Sequence, residues 1–139
     1  MRTITHIVLH CTACPQSATV ASILNYWRQE LGWKTPGYHI IIPPDGCSQR
    51  LVPDEQVSNG VAGHNARSLH VSYIGGVDGQ GRPLDNRTPA QLAEMERIVR
   101  RWKAQHPNAQ VVGHRDFPGV TKACPCFDAL TWWASVTRK

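Results

Sequence analysis

The feature that most constrains the fold is an alternation. Short runs dense in β-branched residues are separated by longer stretches with helical spacing. The runs are Ile4–His10, Gly37–Ile42, Leu69–Ile74 and Ala109–Gly113. Each has the length of a strand and ends at glycine, proline or a polar loop. Pro43-Pro44-Asp45-Gly46 then reads as a turn into a short strand around Cys47–Val52, which makes a hairpin. Between the runs, Ser17 or Thr19 can cap a helix reaching about Glu30, with Val20, Ile23, Leu24, Trp27 and Leu31 on one face and Gly32 as its stop. Thr88-Pro89-Ala90-Gln91 is a second helix start, with proline at the first helical position and Gln91 able to complete a capping box. Its apolar stripe is Leu92, Met95, Val99 and Trp102, and it stops before Pro107. Asp128 caps a last helix carrying Leu130, Trp133 and Ala134. The expected fold is α/β: a single domain, residues 1–139, with a central mixed β-sheet flanked by helices on both faces.

The chain has 139 residues, enough for one domain with a single core. Its formal net charge is +5, which favours anionic partners, although the charges are scattered rather than blocked. Met1–Leu9 has one arginine and only a short apolar run, so no signal peptide is expected. No stretch approaches the ~18 apolar residues of a membrane span. A chain made in the cytoplasm, with no membrane insertion, is the resulting expectation. The helix Glu94–Lys103 mixes Glu94 and Glu96 with its basic residues, and no basic stripe interleaved with aromatics is present, so nucleic acid is not an expected partner.

The five cysteines, Cys11, Cys14, Cys47, Cys124 and Cys126, are odd in number and lack a secretory context, which argues against a disulfide framework. His10, His114 and Cys124 each stand at or just beyond the end of an expected strand, where side chains distant in sequence converge. Two imidazoles and a thiolate are zinc ligands, and a three-ligand set leaves a position for water. Either histidine alone reads as a buried or surface histidine. Together with Cys124 in Lys122-Ala123-Cys124-Pro125 they point to a metal. A four-thiolate site from Cys11, Cys14, Cys124 and Cys126 is the weaker reading, because Cys124-x-Cys126 is too tightly spaced for a usual zinc knuckle. Cys14 and Cys126 then read as free thiols near the site, and Cys47 as a small core residue.

In order along nearly the whole chain, the stretches Ile7-Val8-Leu9-His10-Cys11-Thr12-Ala13, Gly32-Trp33, Gly37-Tyr38-His39-Ile40-Ile41-Ile42, Gly75-Gly76-Val77-Asp78, Thr88-Pro89-Ala90-Gln91, Gly113-His114 and Lys122-Ala123-Cys124-Pro125-x-Phe127-Asp128 resemble the type 2 N-acetylmuramoyl-L-alanine amidases. That family includes the lysozymes of T-odd phages and the peptidoglycan recognition proteins. The resemblance implies Zn2+ as cofactor, with His10, His114 and Cys124 as its ligands and Tyr38 and Lys122 as catalytic residues. It implies hydrolysis of the amide between N-acetylmuramic acid and L-alanine in peptidoglycan. Two departures stand out: the loop from His114 to Lys122 is longer than in phage lysozymes of this type, and Cys126 replaces a small polar residue.

His64 and Asn65 lie in a loop that can border the cleft and bind sugar or peptide amides, so both are substrate-binding candidates. Trp33 and Arg67 are weaker groove candidates. His39 should face away from Tyr38, and His6, His70 and His106 read as structural or surface residues. The reading as a whole is a monomeric phage or prophage endolysin, acting on the cell wall after release or carried in the virion. The alternative is a module of the same fold that binds peptidoglycan without cutting it. Loss of the cysteine ligand would mark that state, and Cys124 is present.

Overall fold

A computed structural model describes residues 2–138; Met1 and Lys139, the ends of the expected 1–139 domain, lie outside the described residues. The strands are β1 (His6–Cys11), β2 (Ile40–Ile42), β3 (Gln49–Arg50), β4 (Ser68–Tyr73) and β5 (Gln110–Gly113), and the α-helices are α1 (Val20–Asn25), α2 (Pro89–Gln105) and α3 (Ala129–Thr137). The sheet order is β3-β2-β4-β1-β5. β1 lies between β4 and β5 and is parallel to both, β2 is parallel to β4, and only β3 runs antiparallel. The mixed sheet expected from the alternation is therefore present.

Side-chain parity assigns the two faces. Ile7, Leu9 and Cys11 of β1, with Ile40, Ile42, Leu69, Val71 and Tyr73, form one core with Met95, Ile98, Val99 and Trp102 of α2 and Ala129 of α3. Alternate residues face the other way. There Ile41 and Ile74 meet Ile23 and Trp27, while Val8 and Val112 meet Val61 and Phe117 from loops. α1 thus covers the β2–β4 half of that face. Over β1 and β5 lie only loop residues, and the cleft opens between them.

The helix starts form as their sequences dictate. Thr19 and Ser22 make a reciprocal capping box on α1, and Thr88 and Gln91 make one on α2. The first helix does not continue as a regular α-helix to Glu30. Its second half, Tyr26–Glu30, is π-helical, with the Leu31 N–H reaching the Tyr26 carbonyl at 3.2 Å, and Gly32 follows at φ +68°. Asp128 accepts from the amides of Leu130 and Thr131 at the start of α3.

Two further local expectations fail. Cys47 is exposed rather than core, because it follows the hairpin turn and precedes the exposed pair Gln49–Arg50. The strand expected over Cys47–Val52 shrinks to those two residues, since the Leu51 and Val52 amides both turn to the His39 carbonyl. On α3, Leu130 is 55% exposed, and the helix buries Ala129 and Val136 instead.

Candidate active site

His10 sits in β1 one residue before its end, on the face that α2 does not cover, and is 1% exposed. His114 follows β5 directly, at the start of a 3-10 turn. Both strands neighbour in register, which brings the two imidazoles to a centroid separation of 4.9 Å. Cys124 arrives on the loop after that turn. Several contacts fix this loop. The Arg115 amide donates to the Cys124 carbonyl at 2.9 Å, and the Tyr73 hydroxyl donates to the Pro125 carbonyl at 2.8 Å. Arg87, ion-paired to Asp85, lies over the Phe127 ring at 3.4 Å. Gly113 leaves room for Pro125: a Cβ there would stand 2.7 Å from the Pro125 ring.

The donor atoms of His10, His114 and Cys124 all lie within 4.8 Å of one another. His10 Nδ1 is 3.8 Å from Cys124 Sγ. Tetrahedral zinc at ordinary Zn–N and Zn–S distances would separate such a pair by about 3.6 Å, so the three residues fit that ion in chemistry and in spacing. Burial holds the His10 pKa well below that of an ordinary histidine, with neighbouring His70, His114 and Lys122 adding to the effect. The His114 pKa is lowered by burial and then by Lys122. Both rings are therefore neutral at pH 7, the state a metal ligand needs. The Cys11 amide donates to Cys124 Sγ at 3.2 Å, a contact suited to a thiolate.

Tyr38 and Lys122 join these three residues around a cavity of 190 Å³. Tyr38 packs 4.9 Å from the His10 ring, and its hydroxyl donates to the Cys11 carbonyl at 3.2 Å. Burial, followed by the charge of Cys124, raises its pKa. It remains a phenol at neutral pH and acts as a donor. Lys122 borders the cavity of the three donors.

The cleft extends beyond that cavity. A second hollow of 380 Å³ shares Trp33, Gly60, His114 and Lys122 with it and includes His64, whose ring packs against Phe117. A third, of 450 Å³, continues past Trp33, which stacks on Trp27 at 5.9 Å. Asn65 points the other way: its side-chain oxygen accepts from the Gly60 and Val61 amides and faces His70. Arg67 precedes β4, at the opposite end of that strand from the residues paired with His10 and Cys11.

The four-thiolate arrangement does not form. Cys14 turns to the Thr12 carbonyl, while Cys11 and Cys126 face each other with sulfurs 3.7 Å apart. Burial and Cys11 push the Cys126 thiol up to about 11. His39 faces away from the site as expected, edge-on to Trp102 of α2. His70 was missed. It touches His10, and the available signal was parity: in Leu69-His70-Val71-Ser72-Tyr73 the polar residues alternate with apolar ones, so His70 and Ser72 share the face of His10.

A mixed sheet with a two-histidine, one-cysteine cluster at the ends of two parallel strands defines the class, and comparison with known proteins agrees. The model of the N-acetylmuramoyl-L-alanine amidase family matches residues 1–127, and the chain belongs to that family. It is 35% identical over 128 residues to the endolysin of Klebsiella phage KP32, covering 91% of this chain and 83% of that one. It is 33% identical over 128 residues to the endolysin of Escherichia phage T7, with the same coverage. Among solved structures, the Ph2119 endolysin from a Thermus scotoductus bacteriophage superposes with a TM-score of 0.81 at 23% identity, covering 99% of this chain and 85% of that one. Drosophila PGRP-LB superposes at 0.74 with 15% identity, covering 99% and 81%. These last two likenesses concern the fold.

Proposed function

We propose that this chain is a zinc-dependent amidase that hydrolyses the bond between N-acetylmuramic acid and L-alanine in bacterial peptidoglycan, as the catalytic domain of a phage or prophage endolysin. The observation that carries this reading is the convergence of three zinc-type donors within 4.8 Å, on the wall of a cavity shared with Tyr38 and Lys122. His10, His114 and Cys124 would hold the ion. When bound, zinc supplies an acidified water and polarises the scissile carbonyl.

The chain's own residues do the rest. The Lys122 ammonium, at the rim of the cavity, donates to the carbonyl oxygen as negative charge develops there. The Tyr38 hydroxyl, kept protonated by burial, hydrogen-bonds the attacking water or shuttles the proton which that water releases to the leaving amine, and ends the step as a phenol again. Trp33 and His64 line the hollows on either side and offer an aromatic surface to sugar and stem peptide. The net charge of +5 favours approach to an anionic wall. The chain acts as a monomer on the wall after release from the cytoplasm. Among the described residues no helix is long and apolar enough to cross a membrane.

The test is digestion of purified cell wall by the metal-replete protein, with and without a chelator, followed by mass spectrometry of the products. The expected products are stem peptides with a free L-alanine amino terminus and glycan with a free lactyl carboxylate, both abolished by the chelator. Intact wall that merely co-sediments with the protein would replace this reading with the non-catalytic binding module.

A further inference from the structure

We propose that His70, oriented by Asn65, is the positioning residue that presents His10 Nδ1 to the metal. The proposal rests on the metal reading above and adds two residues to it.

The proton positions follow from the contacts. The side-chain oxygen of Asn65 lies 3.1 Å from the Gly60 amide nitrogen and 2.7 Å from that of Val61. Backbone amides only donate, so this atom is fixed as the carbonyl oxygen and not the amide nitrogen. The same oxygen lies 2.9 Å from His70 Nε2, which must therefore carry a hydrogen. A neutral imidazole has one N–H, so His70 Nδ1 is an acceptor. It stands 2.9 Å from His10 Nε2, which must then be the donor. The remaining lone pair of His10 is on Nδ1, the atom 3.8 Å from Cys124 Sγ. Two backbone amides in the 60–61 turn thus dictate, through two side chains, which nitrogen of His10 is free to bind.

The relay is also held mechanically. One face of the His70 ring lies against Gly60, where a Cβ would come within 2.4 Å of His70 Nδ1 and 2.5 Å of its Cε1 and Cγ. The His39 ring stacks at 6.0 Å with an interplanar angle of 10°. The His39 Nδ1 accepts the backbone N–H of His70 at 3.0 Å, and His70 is fully buried. A ring this confined has one orientation to offer His10. Metal-bound histidines ordinarily donate the second N–H to a carboxylate, a carbonyl or water. Here a neutral imidazole serves, so the ligand is oriented without a negative charge beside the metal.

The experiment compares wild type with His70→Phe, which keeps the volume and removes the acceptor, and with His70→Gln, whose amide oxygen can accept from His10. Zinc affinity is measured by chelator competition, the cobalt(II) absorption spectrum reports ligand geometry, and long-range 1H–15N correlation of the metal-free protein reports the His10 tautomer. Wild type should show His10 protonated at Nε2. His70→Phe should weaken zinc binding by roughly 10–100-fold, alter the cobalt spectrum and lose the single tautomer, and His70→Gln should recover most of the affinity. A residue that only packs would lower the melting temperature of the metal-free protein and leave these three readouts unchanged; that result overturns the proposal while leaving the metal reading intact. Wild type that binds no zinc overturns both. If His70→Phe does not fold, the wild-type tautomer decides alone: His10 protonated at Nδ1 refutes the relay.

Discussion

At the scale of single residues, each member of the cluster has a separable duty. In the proposed metal site Cys124 would be the soft ligand, and a serine oxygen there is a poorer partner for zinc. Cys124→Ser should reduce zinc affinity by more than the roughly 10–100-fold expected for losing an outer partner; metal analysis after dialysis against a graded chelator checks this. Among the described residues Lys122 makes no hydrogen bond to His10, His114 or Cys124, yet it borders the cavity they line. Lys122→Ala should therefore keep full zinc content while kcat falls by roughly 10²–10³-fold, the usual loss for one oxyanion donor. Tyr38→Phe removes only a hydroxyl that donates to the Cys11 carbonyl. Its zinc content should also be unchanged, with kcat reduced by roughly 10²-fold and the pH–rate profile altered. His10, His114, Cys124, Tyr38 and Lys122 were candidates from the sequence alone, because their neighbours form an ordered series of family motifs, and the fold gathers them around one cavity. His70 was not, since a histidine in an apolar strand carries no motif and its partner is sixty positions away.

At the scale of elements, α2 is tied to the sheet by one polar side chain. Gln91 is fully buried. Its Oε1 accepts from the Thr88 amide at 2.9 Å, and its Nε2 donates to the carbonyls of Ile42 and Ile74, each at 3.0 Å. The residue therefore closes the capping box and satisfies carbonyls at the ends of β2 and β4. Gln91→Ala should lower unfolding stability by about 1–3 kcal/mol, measured by urea denaturation. Zinc affinity should stay near wild type, because Gln91 lies on the face opposite the cluster. The capping role was readable from Thr88-Pro89-Ala90-Gln91; the bonds to two strands were not, because spacing says nothing about which carbonyls a helix start will meet. The same limit explains the π-helical half of the first helix. Its apolar spacing is compatible with a continued α-helix, and packing of Trp27 beneath Trp33 and Tyr38 accompanies the wider turn.

At the scale of the whole molecule, the buried histidines make stability depend on pH. Burial depresses the pKa of His39 from 6.5 to about 4, against the raising effect of the Gln56 carbonyl; Arg2 and Arg50 lower it and Asp54 raises it. A depressed histidine pKa means that the unfolded chain binds the proton first. The contribution is fully present above pH 6.5, declines as pH falls from 6.5 toward 4, and levels off below that. A shift of this size corresponds to about 3 kcal/mol. The metal-free protein should therefore lose stability across that window in denaturant titrations, and His39→Asn should flatten the slope there.

The sequence by itself determined the strand and helix order, the single-sheet architecture and the caps, and it nominated three metal-type donors and two catalytic candidates. It could do so because periodicity, capping residues and motif order are local properties. Only the tertiary structure decided that α1 leaves β1 and β5 uncovered, that Cys47 is exposed, that Asn65 turns inward, and that His70 meets His10. Each of these depends on which surfaces meet across the sheet, and strand register brings together residues whose separation along the chain carries no record of the contact.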